Sequence, residues 1–391
     1  MADRSNGSPQ LHFTHLHLEN WRNFSRIDTD LEDRVFLVGP NAAGKSNLLD
    51  VFRFLHDLVA VGGGLQAAVQ QKPRGGVSSL RSLAARNPSD IVIRVQAGTG
   101  DTPGTWEYEL RLTQDGKRQR PRITREAVKR HGESVLERPL PEDSKDPERL
   151  TQTFLEQVNT NRDFRDLAEF FGQVRYLHIV PQLVREPDRS VGRQNDPFGG
   201  DFLEQLARTT EKVRKGRLSR IRNALRVAVP QLEDLELQRD ERGTPHLRGK
   251  YAHWRPQGAW QTEDHFSDGT LRLLGLLWAS LDGTGPLLLE EPELSLHPEV
   301  VRFLPQMFAR IQRRGGRQII VSTDSTDLLR DSGIGLDEVL LLTPAKEGTL
   351  VQRAQDFREV KALLEGGVTL ADAVLPLTRP DKAEQLMLFA E

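Results

Sequence analysis

Gly39-Pro40-Asn41-Ala42-Ala43-Gly44-Lys45-Ser46 follows the apolar run Val35-Phe36-Leu37-Val38 and precedes Asn47-Leu48-Leu49-Asp50-Val51-Phe52. The pattern G-x-x-x-x-G-K-[ST], set between a strand and an amphipathic helix, is a phosphate-binding loop. Its glycines let backbone N–H groups curl around phosphates. Lys45 is placed to reach the β and γ oxygens, Ser46 to ligate Mg²⁺, and the helix opening at Ser46 offers its positive end. Gly39 to Asn47 are the expected nucleotide-binding residues. This segment predicts an α/β fold that binds a nucleoside triphosphate with Mg²⁺.

Far downstream, Pro286-Leu287-Leu288-Leu289-Glu290-Glu291-Pro292 reads as a buried strand ending in paired carboxylates, the form of a Walker B element. Glu290, at the strand tip, is expected to hold Mg²⁺ through water. Glu291 is placed to polarise the water that attacks the γ-phosphate. Two solvated glutamates in a turn are the alternative, and four apolar residues before them argue for burial.

Between these lies His265-Phe266-Ser267-Asp268-Gly269-Thr270-Leu271-Arg272, about twenty residues before Glu290. Read from the residues alone, Ser-Asp-Gly-Thr leading into an apolar helix is either an anion-binding helix start or a common turn and N-cap. The stretch resembles the ABC signature sequence. With Gly39 to Asn47, Glu290 to Pro298 (EEPELSLHP), Ile319 to Asp324 (IIVSTD) and the opening Phe13 to Phe24 (FTHLHLENWRNF), the chain resembles ABC ATPases of the RecF, SMC and OLD type. The resemblance implies a P-loop ABC-type head with a mixed or parallel sheet core, an antiparallel β lobe and a helical insertion. It implies ATP as the nucleotide. It also implies a head-to-head homodimer in which Ser267, Asp268 and Gly269 serve the γ-phosphate held by the opposite subunit.

Two positions depart from that family's pattern. After the strand Gln318 to Val321 the family usually has a switch histidine, and this chain has Asp324, whose charge would face the γ-phosphate. ATP binding is therefore better supported than fast hydrolysis, and a slow or non-hydrolysing regulatory module is the alternative function. Glu290 in place of the commoner Asp is milder, since the two carboxylates differ by one methylene. Gln182, after the apolar run Tyr176 to Val180, is either the Q-loop glutamine that the resemblance implies or a surface-loop residue.

The chain has 391 residues, no cysteine and a formal net charge of −2. Disulfides and thiolate metal sites are excluded, and a reducing, cytoplasmic setting is expected. His12, His15 and His17 crowd one early strand, read as a partly exposed sheet face rather than a metal cluster. The longest apolar run, Leu273 to Leu281, is too short to cross a bilayer, so no membrane or export segment is expected. Basic residues are dense at Lys117 to Arg130, Lys212 to Arg226 and Arg313 to Arg317. Such runs are solvated faces unless several share one surface, where they would bind DNA.

The expected organisation is residues 1–58 as the first part of the head and 59–264 as an inserted β lobe and helical region. Residues 265–345 form its second part and 346–391 a C-terminal extension. Helical periods run over about 148–171 and 200–229, and Leu235 to Leu237 opens a hairpin toward His253. Pro and Gly interrupt the insertion too often for an SMC arm. Only about fifty residues follow the strand Val339 to Leu342, too few for a TOPRIM nuclease domain, so any nuclease effector would be another chain. Gln385, Leu386, Leu388 and Phe389 resemble the peptide by which bacterial DNA enzymes dock on the sliding clamp. The same side chains packing on the protein's own head is the alternative.

Overall fold

Strand β3 (Arg34–Val38) has four consecutive buried apolar residues, the pattern of a strand covered on both faces. The computed structural model describes residues 10–87, 89–116, 119–187, 196, 198–253, 259–379, 385 and 387. The chain divides into two compact units, one of residues 1–175, 284–288 and 308–391, the other of residues 176–283 and 289–307.

The first unit holds two sheets. In one, β1 (His12–Trp21), β2 (Phe24–Asp30), β4 (Ile91–Thr99), β5 (Thr102–Gln114), β6 (Pro121–Arg130) and β7 (Glu133–Arg138) run in the order β2-β1-β4-β5-β6-β7, every pair antiparallel. In the other, β3 lies between parallel β13 (Ile319–Thr323) and β14 (Val339–Ala345), and β15 (Gly348–Arg353) closes the edge antiparallel to β14. Strand β12 (Leu287–Glu290) joins beyond β13 through the Leu287 N–H on the Gln318 carbonyl. Strand β8 (Arg175–Leu177) follows through the Arg175 N–H on the Pro286 carbonyl. Both strands run on into the second unit.

Helix α1 (Lys45–Val59) buries Leu48, Leu49, Val51, Phe52, Phe54, Leu55 and Leu58, an apolar stripe at helical spacing. Phe52 meets Phe13 of β1 at a ring separation of 4.7 Å, and Phe13 meets Phe170 of α5 (Arg165–Gly172) at 4.7 Å. Each such buried ring stabilises the unit by about 1.5–3 kcal/mol. Helices α2 (Leu65–Gln70) and α3 (Val77–Leu80) follow α1, and the turn between them carries Arg74, which is buried against Asp50 (2.8 Å) and Asp57 (2.7 Å). Helix α4 (Pro141–Lys145) presents Asp143 to Arg138. That guanidinium also binds Glu126 at 2.9 Å, and all three side chains are fully buried. Helices α11 (Leu304–Gly315), α12 (Thr326–Leu329), α13 (Arg358–Glu365) and α14 (Leu370–Val374) complete the unit, apart from the start of α11.

The second unit packs α6 (Pro181–Val184), α7 (Phe202–Arg208), α8 (Glu211–Leu225), α9 (Asp268–Leu281) and α10 (Pro298–Val301) with a three-stranded sheet. That sheet has the order β11-β10-β9, from β9 (Leu232–Arg239), β10 (Pro245–Tyr251) and β11 (Ala259–Thr262).

Two sequence expectations need correction. The stretch 148–171 is helical only in α5. Before it, 3₁₀ turns form, because the Thr160 hydroxyl and Asn161 amide bond the carbonyls of Phe154 (2.9 Å) and Leu155 (2.9 Å) in place of a helical ladder. The histidines of β1, expected as a partly exposed face, are so only at His15. His12 and His17 are buried, and each of the three meets a carboxylate: Asp33 at 2.6 Å for His12, Asp28 at 2.9 Å for His15 and Asp28 at 3.1 Å for His17. Among the described residues, no group of three or more His, Asp or Glu is arranged to hold a metal ion. Among them, too, no helix is long and apolar enough to cross a membrane.

Candidate functional site

The phosphate loop leaves β3 at Gly39 and enters α1 at Lys45. Ala42 (φ 66°) and Gly44 (φ 98°) both take left-handed backbone, which folds the loop back on itself. At Gly44 a side chain is excluded twice over, since a Cβ would also lie 2.2 Å from the Asn23 amide nitrogen. Asn23 is the brace. Its amide donates to the Ala43 carbonyl (2.9 Å) and the Thr349 hydroxyl (2.8 Å), and its oxygen accepts from the Asn47 amide (2.7 Å). The Trp21 indole donates to the Asn47 carbonyl at 2.9 Å. The β1–β2 turn therefore fixes the loop from behind, while Asn41, Ala42 and Ser46 stay exposed.

Lys45 is buried, with Nζ donating to the Gly39 carbonyl at 2.7 Å and to the Pro40 carbonyl at 3.4 Å. Asp324, just past β13, stands 4.0 Å from that ammonium with its side chain half exposed. A cavity of about 630 Å³ adjoins Gly39, Pro40, Asn41 and Asp324. On the Asn47 side a second cavity, of about 900 Å³, is lined by Arg22, Asn23, Arg81, Arg86 and Lys346 among others. Arg22 also bonds Asp50 of α1 at 3.2 Å.

The second unit carries the other motif residues. Leu287, Leu288 and Leu289 are fully buried, so β12 delivers Glu290 and Glu291 at its end. The Tyr176 hydroxyl donates to the Glu290 carboxylate, and His178, two residues along the same strand path, lies 3.4 Å from the Glu290 carbonyl. Burial holds His178 below its ordinary pKa, so the neutral ring is favoured as that carbonyl's donor. The next residue, Glu291, adopts φ 44°, a left-handed conformation costly for a side-chain-bearing residue and concentrated at functional sites.

Ser267 is the N-cap of α9, its hydroxyl accepting from the Thr270 N–H at 3.2 Å. The N-cap reading of Ser-Asp-Gly-Thr is the one that the structure shows. Ser267 itself is exposed. Asp268 is tied to Arg185 at 2.7 Å. Gly269 is required for packing, since a Cβ there would lie 2.4 Å from the Ser295 carbonyl. Arg272, one turn on, has a buried Nε without a hydrogen-bond partner, and burial lowers its pKa. Gln182 sits exposed on α6. Gln385 is exposed, and Leu386, Leu388 and Phe389 lie outside the described residues.

Sequence reasoning missed Asn23, Tyr176 and His178. The first was legible only as part of an opening strand motif, and the other two only as members of an apolar run.

A glycine-shaped phosphate loop between the buried parallel strand β3 and helix α1 defines a P-loop ATPase head of the ABC type. The chain belongs to the AAA domain family described as putative AbiEii toxin, Type IV TA system, which matches residues 34–331. Over 46 residues it is 48% identical to the DNA replication and repair protein RecF of Roseiflexus castenholzii (strain DSM 13941 / HLO8). That match spans 12% of this chain and 12% of the relative's length. Among solved structures, the SMC head domain from Thermotoga maritima is 13% identical, with 88% of this chain and 98% of that one covered at a TM-score of 0.45. An Smc head domain with an extended coiled coil bound to the C-terminal domain of ScpA, derived from Pyrococcus furiosus, is 12% identical. The coverage is 91% of this chain and 99% of that one, at a TM-score of 0.48.

Proposed function

We propose that the chain is an ATP-binding and ATP-hydrolysing switch that dimerises on ATP and acts in a DNA transaction. The setting is DNA repair, or antiphage defence with a separately encoded effector such as a nuclease. The observation that carries the ATP reading is the braced loop with Lys45 buried behind it, a cation held ready by carbonyls that a triphosphate displaces. Ser46 and Glu290 take Mg²⁺, Glu291 polarises the attacking water, and the cavity beside Asn47 takes ribose and base. Exposed Ser267 at the α9 N-terminus supports a γ-phosphate contact made in a second copy.

DNA is supported by the basic runs. On α8, Arg214, Arg217 and Arg222 are engaged within the protein and Lys215 pairs with Glu211 at 2.6 Å, while Lys212 and Arg220, and Arg226 just past the helix, are exposed. Arg313 and Arg314 at the end of α11 are exposed too. The name of the RecF relative agrees with such a role. A second reading, an ATP-bound regulatory module with little turnover, is favoured by Asp324 beside Lys45. Single-turnover hydrolysis with and without duplex DNA separates the two. Turnover stimulated by DNA supports the switch, and bound ATP that stays intact in both supports the regulator.

A further inference from the structure

The cavity of about 630 Å³ in front of the phosphate loop has three walls. Gly39, Pro40 and Asn41 form the first and Asp324 with Thr326 the second. The third is the C-terminal segment, through Asp372, Thr378 and Arg379 among others. This wall is built in, not draped on. Helix α14 buries Leu370, Ala371, Ala373 and Val374, the Thr369 hydroxyl caps it through the Asp372 N–H at 3.2 Å, and it packs against α12, which begins just past Asp324. Beyond α14 the Thr378 hydroxyl donates to the Leu375 carbonyl at 3.1 Å, holding the turn that presents Arg379.

Lys45 marks where a terminal phosphate goes. Its ammonium lies between the Gly39 carbonyl (2.7 Å) and Asp324 (4.0 Å), so a triphosphate gripped by Lys45 directs its γ end toward Asp324 and this cavity. Two of the cavity's lining residues, Asp324 and Asp372, are carboxylates that repel a phosphate, and one, Arg379, is a cation. A guanidinium matches phosphate with paired, charge-assisted donors.

Resting on the ATP reading above, we propose that Arg379 binds the γ-phosphate and makes the C-terminal segment the wall of the site that tells ATP from ADP. ADP fills the loop and has no γ-phosphate to reach this wall. Asp324, in the position where the family resemblance implies a histidine, is then offset by an arginine brought from the end of the chain.

The test is the affinity of the full chain for ATP and for ADP, each with Mg²⁺, by titration calorimetry on wild type, Arg379→Ala and Arg379→Lys. Arg379 is exposed, so neither substitution disturbs the core. Arg379→Ala is expected to weaken ATP about tenfold or more and to leave ADP within about twofold, with Arg379→Lys in between. An Arg379→Ala protein that keeps the wild-type ratio of ATP to ADP affinity overturns this inference and leaves ATP binding standing. A wild-type chain that binds neither nucleotide overturns the ATP reading and this inference together.

Discussion

The ammonium of Lys45 lies 4.0 Å from the carboxylate of Asp324, and its shorter bond, 2.7 Å, goes to the carbonyl of Gly39. The loop's cation is therefore held by its own backbone and shares its surroundings with an acid. Lys45→Ala is expected to abolish detectable ATP binding, because the β/γ charge loses the only cation within the loop. Asp324→His is expected to raise the hydrolysis rate or leave it level, since it removes a charge that opposes the γ-phosphate. A fall of about a hundredfold, about 2.7 kcal/mol in the barrier, would instead make Asp324 a catalytic group.

Tyr176 and His178 grip the two polar ends of Glu290, its carboxylate and its carbonyl. Such partners orient a metal-side carboxylate, and losing them costs about 10–100-fold in metal affinity. Tyr176→Phe should raise the Mg²⁺ concentration needed for half-maximal hydrolysis by about tenfold, with ATP binding in EDTA unchanged. An unaltered Mg²⁺ requirement would remove Tyr176 from the site.

His12 is a pH-dependent staple. Burial pulls its pKa down, but the Asp33 carboxylate at 2.6 Å and the Gly316 carbonyl outweigh that and raise it above the ordinary 6.5. A raised value means that the native state binds the proton more tightly than the unfolded chain. The stabilisation is complete below pH 6.5 and is lost as pH rises through the native value. His246, raised beside Glu263, acts in the same direction. Between pH 6 and 9 the melting temperature of His12→Asn should depend on pH with a smaller downward component than that of wild type, while the lowered pKa of His178 works in the opposite direction in both proteins. A parallel slope in the variant would refute the assignment.

Arg138 joins Glu126 at 2.9 Å and Asp143 at 3.0 Å, with all three side chains fully buried. Removing the cation strands two carboxylates in the core. Urea unfolding of Arg138→Met should show a loss of about 3–5 kcal/mol. A loss under about 1 kcal/mol would mean that the network relaxes or takes up water.

The strand and helix around the phosphate loop, the buried strand before Glu290 and the helix after Ser267 were legible because each couples a local pattern to one element, such as the buried β3 before Gly39 or the apolar run from Leu271. What escaped the sequence depends on long-range geometry. Asn23 braces Gly44 only because a turn far upstream folds onto the loop. Tyr176 and His178 looked like strand filler until β8 was paired beyond β12. Arg138 carried no sequence signal, and its burial depends on Glu126 of β6 and Asp143 of α4. Residues 148–164 had a helical period, yet Thr160 and Asn161 satisfied their backbone another way. Arg379 had no motif at all, and only the packing of α14 on α12 brings it to the phosphate loop.

In the proposed dimer, the phosphate loop of one copy and Ser267 of another complete a single ATP site. Glu291→Gln keeps the binding residues and removes the carboxylate proposed to polarise water, so ATP with Mg²⁺ should trap the assembled state. Light scattering of that variant should give twice the 44.2 kDa chain mass with ATP and the single mass without nucleotide. A single mass with saturating ATP and Mg²⁺ would contradict the account.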